Sequence, residues 1–241
     1  MVFALAIGVV GATAEETNVS LVKNIAQGEI PKGITDLMSS QYGAKNYSKS
    51  KHCWKYHYHD TGISGMPEDL TYCIEPKKYV IQTINGKPLT FLLANSDSNS
   101  PEESSRNTPG MMGLFVLDEN GKIISKNKVI MTGSSGYTGS YAAKFQQIGK
   151  QQYAWIFRNG VTYQGINISN YEIYAPINSH YPRIAIIDEQ LEDDQTIRTL
   201  DFINDGSEHY PIQIYKIIDD KKEKYKKMIF DKKQNIYIDE K

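Results

Sequence analysis

Apolar and polar residues alternate along most of the chain from about residue 53 to the C-terminus. The stretch KYVIQTINGKPLTFLLAN, residues 78–95, contains two alternating runs joined at Asn85-Gly86. GLFVLDENGKIISK, residues 113–126, repeats this arrangement around Asn120-Gly121. Because side chains alternate between the two faces of a strand, and because Asn-Gly favours tight hairpin turns, both stretches are predicted to be β-hairpins.

The same period continues in KFQQIGKQQYAWIFRNGVTYQG, residues 144–165, which has turn residues at Gly149-Lys150 and Asn159-Gly160. The strand between these turns carries three aromatic residues on one face: Tyr153, Trp155 and Phe157. Turn residues recur at short intervals with no long amphipathic helix between them, which favours antiparallel sheets over a parallel βαβ fold. We therefore predict a mainly β protein, and a sandwich, an open barrel or a small propeller each fit the pattern.

The N-terminal part has a loosely helical period instead, between residues 18 and 42. Three apolar residues at helical spacing predict a first helical segment: Leu21, Val22 and Ile25. GITDLMSSQYG, residues 33–43, predicts a second short helix that ends at Gly43.

NSDSNSPEESSRNTPG, residues 95–110, interrupts the alternation with a polar stretch rich in serine and proline. It has no hydrophobic period and is predicted to be a long exposed loop. Alternatively, it is the seam between two halves of a single mainly β domain spanning residues 15–241.

Residues 1–14 have the composition of a secretory signal peptide. Residues 2–10 are apolar and uncharged, and Ala12 and Ala14 supply the small residues that precede a cleavage site. The apolar run is too short to span a bilayer, so no transmembrane segment is predicted. No Lys or Arg precedes Lys23, and we expect the natural start to lie upstream of Met1. The short, alanine-containing signal favours the periplasm of a Gram-negative cell.

The cysteine content agrees with export. The chain has 2 Cys, at positions 53 and 73. An oxidising compartment normally pairs such cysteines, so a Cys53–Cys73 disulfide is predicted. Closing a loop of roughly 20 residues stabilises a fold by about 3 kcal/mol in the chain-entropy model. A catalytic cysteine is the alternative, but neither residue lies in a recognisable nucleophile motif.

The amino-acid composition indicates which classes of partner the protein is expected to bind. With 27 Lys and Arg against 28 Asp and Glu, the formal net charge is −1, which does not favour nucleic acid or anionic lipid. Tyrosine is abundant, with 17 Tyr against 7 Phe and 2 Trp. Its ring joins apolar area to a polar tip, which suits both strands and protein-binding surfaces.

VIMTGSSGYTGSY, residues 129–141, is the stretch most similar to a ligand-binding loop, with glycines at 133, 136 and 139. A phosphate-binding P-loop needs a lysine after its last glycine, where Ser140 stands instead. The spacing also departs from the glycine patterns of dinucleotide-binding folds and of hydrolases. We predict a wide hairpin loop with glycines at positive φ that displays Tyr137 and Tyr141 to a partner, a turn without a partner being the alternative.

KHCWKYHYHDTG, residues 51–62, contains three of the 5 histidines. In a strand, His57 and His59 share a face about 7 Å apart, close enough to hold one metal ion. A third ligand would have to come from a distant segment, through His180 or His209. Ordinary strand histidines are the alternative interpretation.

Two blocks of opposite charge occur in the C-terminal half, DEQLEDD at 188–194 and KKEKYKK at 221–227. The acidic block lacks the central glycine of a calcium loop. Solvated surface explains most such runs, and a binding role would be the attraction of a basic partner. The acidic residues predicted for that role are Asp188, Glu189, Glu192, Asp193 and Asp194. The basic block is typical of an edge strand protected by lysines.

These features together predict an exported binding protein, an inhibitor or immunity-type protein that binds a secreted enzyme or effector. No catalytic residues and no cofactor motif can be assigned from the sequence. Two alternatives remain: a metal-dependent hydrolase that uses His57 and His59, and a carbohydrate-binding or envelope-structural module that uses the rings of Tyr153 and Trp155.

Overall fold

In the computed structural model, the described residues are 21–26, 29–59, 69–97, 108–163, 166–191 and 196–240. These residues form one α-helix near the N-terminus and three sheets of antiparallel strands, so the predicted mainly β fold with a short N-terminal helix is confirmed. The predicted signal peptide, residues 1–14, lies outside the described residues. Within the described ranges, no helix is both long and apolar enough to cross a membrane.

Only the second predicted helix forms. Helix α1 spans Lys32–Tyr42 and ends at Gly43, whose φ is 89°. Val22 and Ile25 instead flank a short strand, β1 at Lys23–Asn24, and pack into two different cores. The helical prediction for this stretch was wrong because three apolar residues are too few to fix a period, and positions i and i+3 of a strand point to opposite faces.

The first sheet contains seven of the described strands. After β1 they are β2 Tyr47–Ser48, β3 Cys53–His59, β4 Asp69–Ile84, β5 Lys87–Asn95, β6 Gly110–Leu117 and β7 Ile123–Thr132. Strands β2 to β7 lie in chain order across the sheet. Strands β1 and β3 pair with different parts of β4, and β5 pairs along β4 on its other side.

Both predicted Asn-Gly hairpins form. Asn85 and Gly86 connect β4 to β5 with φ angles of 52° and 76°, the left-handed pair that a type I′ turn requires. Between β6 and β7, Gly121 has φ of 77° and donates its N–H to the Asp118 carbonyl at 3.0 Å.

The polar segment at 95–110 connects two adjacent strands of one sheet. Strands β5 and β6 flank it and pair with each other, with Leu92 opposite Phe115. The chain before and after the segment therefore belongs to the same sheet. Residues 98–107 of the segment lie outside the described residues.

The second and third sheets each contain four consecutive strands. The second holds β8 Lys144–Gly149, β9 Gln152–Tyr163, β10 Ile166–Tyr174 and β11 Arg183–Gln190. The third holds β12 Ile197–Phe202, β13 Ile212–Ile218, β14 Lys221–Asp231 and β15 Ile236–Asp239. Every strand pairing within these sheets is antiparallel.

One of the two turns predicted in the second sheet is present and the other is not. A turn follows Gly149 and includes Gln151 at φ 59°. Asn159 and Gly160 lie inside β9 instead, and Gly160 is opposite Ser169 of β10. A Cβ on Gly160 would come within 2.9 Å of the Ile168 carbonyl, so close packing between β9 and β10 explains this glycine better than a turn does.

Helix α1 and the three sheets pack on one another in chain order. Met38 and Tyr42 of α1 meet Leu92 and Phe115 on one face of the first sheet. The other face of that sheet packs on the second sheet, which packs in turn on the third through a set of aliphatic residues that includes Ile156, Ile173, Ile187, Ile212 and Ile214. All eight residues of β6 are buried, because both faces of the first sheet are covered.

The lysine-rich half of β14 forms an edge, as predicted. Strand β13 pairs with β14 over residues 221–228, whereas β15 pairs only with Met228 to Asp231. Among the described strands, residues 221–226 therefore have a neighbour on one side only. Lysines along this edge disfavour pairing with another chain.

The predicted disulfide joins Cys53 of β3 to Cys73 of β4. The two Cα atoms are 5.4 Å apart. Both cysteines are buried, with exposed fractions of 0% and 6%. The bond therefore links two paired strands from inside the core.

Replacing both cysteines by alanine should lower the free energy of unfolding by about 3 kcal/mol, because the unfolded chain loses a loop closure over 20 residues. Urea denaturation followed by far-ultraviolet circular dichroism measures this change. Reduced wild-type protein is the control and should unfold at the same urea concentration as the double variant. A wild-type transition that does not respond to reductant would contradict the stabilising role.

Stability should also fall in mild acid because of His209. Its ring stacks on Phe230 with 3.7 Å between the ring centroids. Burial lowers the pKa of His209 below its ordinary value of 6.5. The charge of Glu208 opposes this shift, and the charge of Lys232 adds to it. Because the folded state favours the neutral form of His209, this residue contributes to the free energy of unfolding. The contribution is fully present above pH 6.5, the ordinary pKa of histidine, and is lost as the pH falls below that value. Urea titrations at several pH values should show a weaker pH dependence for His209→Gln than for wild type. The exposed His180→Gln variant is the control, and equal pH dependence in all three proteins would refute this assignment.

Candidate functional site

The glycine loop between β7 and β8 has the backbone that the sequence predicts. Gly133, Gly136 and Gly139 have φ angles of 74°, 78° and 71°. Ser134 and Tyr137 close a tight turn through reciprocal backbone hydrogen bonds of 3.0 and 2.9 Å. A Cβ on Gly133 would lie 2.0 Å from the Tyr137 carbonyl oxygen, so only glycine fits there.

The loop displays both predicted tyrosines. Tyr137 is 52% exposed, and Tyr141 is 84% exposed. The two residues between them that carry hydroxyl groups, Thr138 and Ser140, are buried. The loop therefore exposes the side chains of Tyr137 and Tyr141 and buries those of Thr138 and Ser140.

The carboxylate of Asp97, just after β5, holds the inner side of the loop. It accepts hydrogen bonds from the Thr138 backbone N–H at 2.7 Å, the Thr138 hydroxyl at 2.8 Å and the Ser140 hydroxyl at 3.2 Å. The Asn95 amide also donates to the Ser140 hydroxyl. The Gly136 N–H donates to the Thr108 carbonyl at 2.7 Å. Sequence reasoning missed Asp97, because one aspartate in a polar segment carries no signal for a partner 41 residues away.

Lys78 of β4 holds the end of the loop. Its Nζ donates to the backbone carbonyls of Ser140, Tyr141 and Ala143 at 3.5, 2.8 and 3.4 Å. Burial lowers the pKa of Lys78. Together with Asp97, this lysine fixes the backbone on both sides of Tyr141.

Arg158 of β9 lies beside this loop and was not predicted from the sequence. Its Nε donates to Glu189 Oε2 at 2.5 Å, and its side chain is 59% exposed. The bond to Glu189 raises the pKa of Arg158, and the Tyr141 hydroxyl contributes in the same direction. We call Tyr137, Tyr141 and Arg158 the tyrosine–arginine surface.

Glu189 is buried and bonded within the chain. It is the extra residue of a β-bulge, because Ser169 pairs with Gln190 while Asn170 pairs with Asp188. The Ser169 hydroxyl donates to Glu189 Oε2 at 2.6 Å, and the Tyr171 hydroxyl donates to Oε1 at 2.9 Å. Burial, followed by this bond, raises the pKa of Tyr171 to about 12.

The predicted acidic residues thus occupy different environments. Glu189 is 4% exposed and its carboxylate positions Arg158, so it is not part of an exposed acidic surface. Asp188 is exposed on β11. Glu192, Asp193 and Asp194 lie outside the described residues.

His57 and His59 lie on the same face of β3, each beside a residue of β4. His57 Nδ1 is 2.8 Å from the Thr71 hydroxyl, and His59 Nδ1 is 3.0 Å from Asp69 Oδ1. His180 lies in a turn with Ile177, and His209 stacks on Phe230. Among the described residues, no group of three or more His, Cys, Asp and Glu is arranged to hold a metal ion.

The aromatic residues considered for carbohydrate binding are in the core. Tyr153, Trp155 and Phe157 do lie on one face of β9, and this face packs against the first sheet. Trp155 is fully buried and Tyr153 is 8% exposed. These rings therefore offer no exposed face on which a sugar could stack.

Comparison of the chain with family models, curated proteins and solved structures finds no match. The chemistry of the site therefore has to be inferred from its own residues.

Removing the Asp97 carboxylate should loosen the loop. The Asp97→Ala variant loses hydrogen bonds to Thr138 and Ser140, and we expect its free energy of unfolding to fall by about 2 kcal/mol. Amide hydrogen exchange at Thr138 should become faster. Asp118→Ala, which removes a similar acceptor from the β6–β7 hairpin, should leave exchange at Thr138 unchanged. Wild-type exchange at Thr138 in Asp97→Ala would rule out this restraint.

Proposed function

We propose that this protein is an exported binding protein, an inhibitor or immunity-type protein that covers part of a secreted enzyme or effector. The observation that carries this proposal is the exposure of Tyr137 and Tyr141 on a loop whose backbone is held by hydrogen bonds to the side chains of Asp97 and Lys78. Flexible loops lose conformational entropy when they bind, and a loop that is already ordered loses less. A rigid loop that exposes two tyrosines favours a role in binding over a role as a simple connection between two strands.

The residue types of the tyrosine–arginine surface also suit protein recognition. Tyrosine and arginine are enriched among the residues that contribute most to the binding energy of protein interfaces. A guanidinium group has five N–H donors, of which the bond to Glu189 uses the Nε donor of Arg158. Arg158 is therefore held in one orientation while it retains donors for carbonyl or carboxylate groups of a partner.

Two observations support the exported location in this proposal. The Cys53–Cys73 disulfide is the kind of bond that persists in oxidising compartments. The apolar residues 2–10, followed by Ala12 and Ala14, have the pattern of a signal peptide. Both features are expected of a protein that meets its partner outside the cytoplasm.

The immobilised protein should retain a specific protein from the periplasmic extract or culture supernatant of its own host. The Tyr137→Ser, Tyr141→Ser double variant should bind that protein at least about tenfold more weakly, because two exposed aromatic contacts are removed. Tyr225→Ser is the matched control, since Tyr225 is 48% exposed on the third sheet, and it should retain full affinity. Affinity of the purified partner is measured by calorimetry, and its activity is measured with and without the bound protein.

Two results would reject the proposal. One is the recovery of no protein from the exported fractions. The other is a partner whose affinity is the same for the wild-type protein and for the double tyrosine variant.

A further inference from the structure

Two exposed cations lie next to the glycine loop, on the face of the second sheet that packs towards the third sheet. Lys144 of β8 pairs with Ile156 of β9, which packs on that side, and Arg158 follows Ile156 by two residues. Residues two apart on a strand share a face, and diagonal neighbours on antiparallel strands lie about 7–8 Å apart. We call Lys144 and Arg158 the cation pair.

Both members of the cation pair are accessible to solvent. The side chain of Arg158 is 59% exposed, and Lys144 is exposed at the first position of β8. Lys144 forms no hydrogen bond or ion pair with the described residues, and Arg158 bonds to Glu189 through its Nε. The Lys144 ammonium and the two Nη groups of Arg158 are therefore within reach of a partner's acceptors.

Glu189 determines which donors of Arg158 remain for a partner. Its carboxylate accepts the Nε donor of Arg158 and is itself held by the hydroxyl groups of Ser169 and Tyr171. A guanidinium group is planar, and its two Nη groups form a fork that can bind both oxygens of one carboxylate. Because Nε is already used, Arg158 offers this fork to a carboxylate that approaches its free end.

The accessible charge beside the glycine loop is positive among the described residues. Glu189 is 4% exposed, and the Asp97 carboxylate bonds to the inner side of the loop. Asp188 lies on the opposite face of the second sheet, because it pairs with the residue next to the one opposite Arg158. A further cation, Lys78, holds the Tyr141 carbonyl at 2.8 Å. The positive charge of this region therefore lacks an exposed carboxylate to offset it within the described part of the chain.

Tyr141 connects the cation pair to the tyrosine–arginine surface. It precedes Lys144 by three residues, and its hydroxyl is close enough to Arg158 to raise the pKa of that residue. The ring of Tyr141 is the more exposed of the two tyrosines in the loop, at 84%. A partner that packs on this ring is therefore in reach of both cations.

We propose that the cation pair binds the carboxylate of an aspartate or glutamate side chain of the partner. The Nη groups of Arg158 donate two hydrogen bonds to its oxygens, and Lys144 supplies a further donor and a second positive charge. The inference rests on the proposed function. It adds that the partner presents an acidic residue next to the residues that contact Tyr141.

Labelled hexa-glutamate is a direct probe, with hexa-lysine as the peptide control. Fluorescence anisotropy at about 0.15 M salt, where distant charges are largely screened, should detect binding of hexa-glutamate only. Arg158→Gln should raise the dissociation constant by about tenfold, because it removes the fork and its charge. Arg158→Lys keeps the charge without the fork and should also bind more weakly than wild type.

Lys144→Gln should raise the dissociation constant about threefold, since a single exposed charge contributes less than the fork. This variant removes no bond to a described residue, so its fold should be intact, which thermal unfolding of each variant checks. Lys150→Gln is the matched control, because Lys150 is an exposed lysine in the turn at the other end of β8. It should leave the dissociation constant unchanged.

Equal dissociation constants for wild type, Arg158→Lys and Lys144→Gln would overturn the inference, as would the absence of hexa-glutamate binding. Tighter binding of single-stranded hexa-thymidylate than of hexa-glutamate would also overturn it, because the surface would then favour the phosphates of a nucleic acid.

The Tyr137→Ser, Tyr141→Ser variant separates this inference from the proposed function, because it should lose the natural partner but keep hexa-glutamate. Failure to retain any partner, with intact binding of the peptide, rejects the proposed function and not the carboxylate site. A partner that depends on the tyrosines but binds Arg158→Lys and Lys144→Gln as tightly as wild type rejects the carboxylate site alone.

Discussion

The burial of both faces of strands β5 and β6 is the constraint on which the other layers depend. Neighbouring residues of a strand point to opposite faces, so Leu92 packs towards α1 while Leu93 packs towards the second sheet. Such strands are stable only when other elements pack on both of their faces, since an uncovered face would expose a row of large apolar side chains to water. The helix and the second sheet therefore stabilise each other through the first sheet.

The order of this core extends into the glycine loop through the residues that end β5. Asn95 and Ser96 are buried, and the Ser96 hydroxyl accepts the Met111 N–H at 3.1 Å. Asp97 follows directly and bonds to the loop. A short polar segment thus connects well-packed strands to Tyr137 and Tyr141, which explains how a loop rich in glycine and serine can hold a defined shape.

The fold class, the disulfide and the hairpins at Asn85 and Asn120 could be predicted because each depends on local pattern or on cysteine pairing. The same dipeptide does not form a turn at Asn159 and Gly160. There the side-chain amide of Asn159 donates a hydrogen bond to Thr132, which is 27 residues away in the sequence, and β10 packs closely against Gly160. The exposure of Tyr137 and Tyr141 could be predicted from their place in a glycine loop. The roles of Asp97 and Arg158 could not be predicted, because their hydrogen-bond partners lie 41 and 31 residues away in the sequence.

The strand order has a consequence for how the chain reaches its native state. Among the described strands, every pairing except that of β1 with β4 joins neighbours in the sequence. Each sheet can therefore grow by adding one strand at a time, and the longest loop closed between paired neighbours is residues 96–109, between β5 and β6. Such assembly limits the time during which unpaired strands are exposed to other chains.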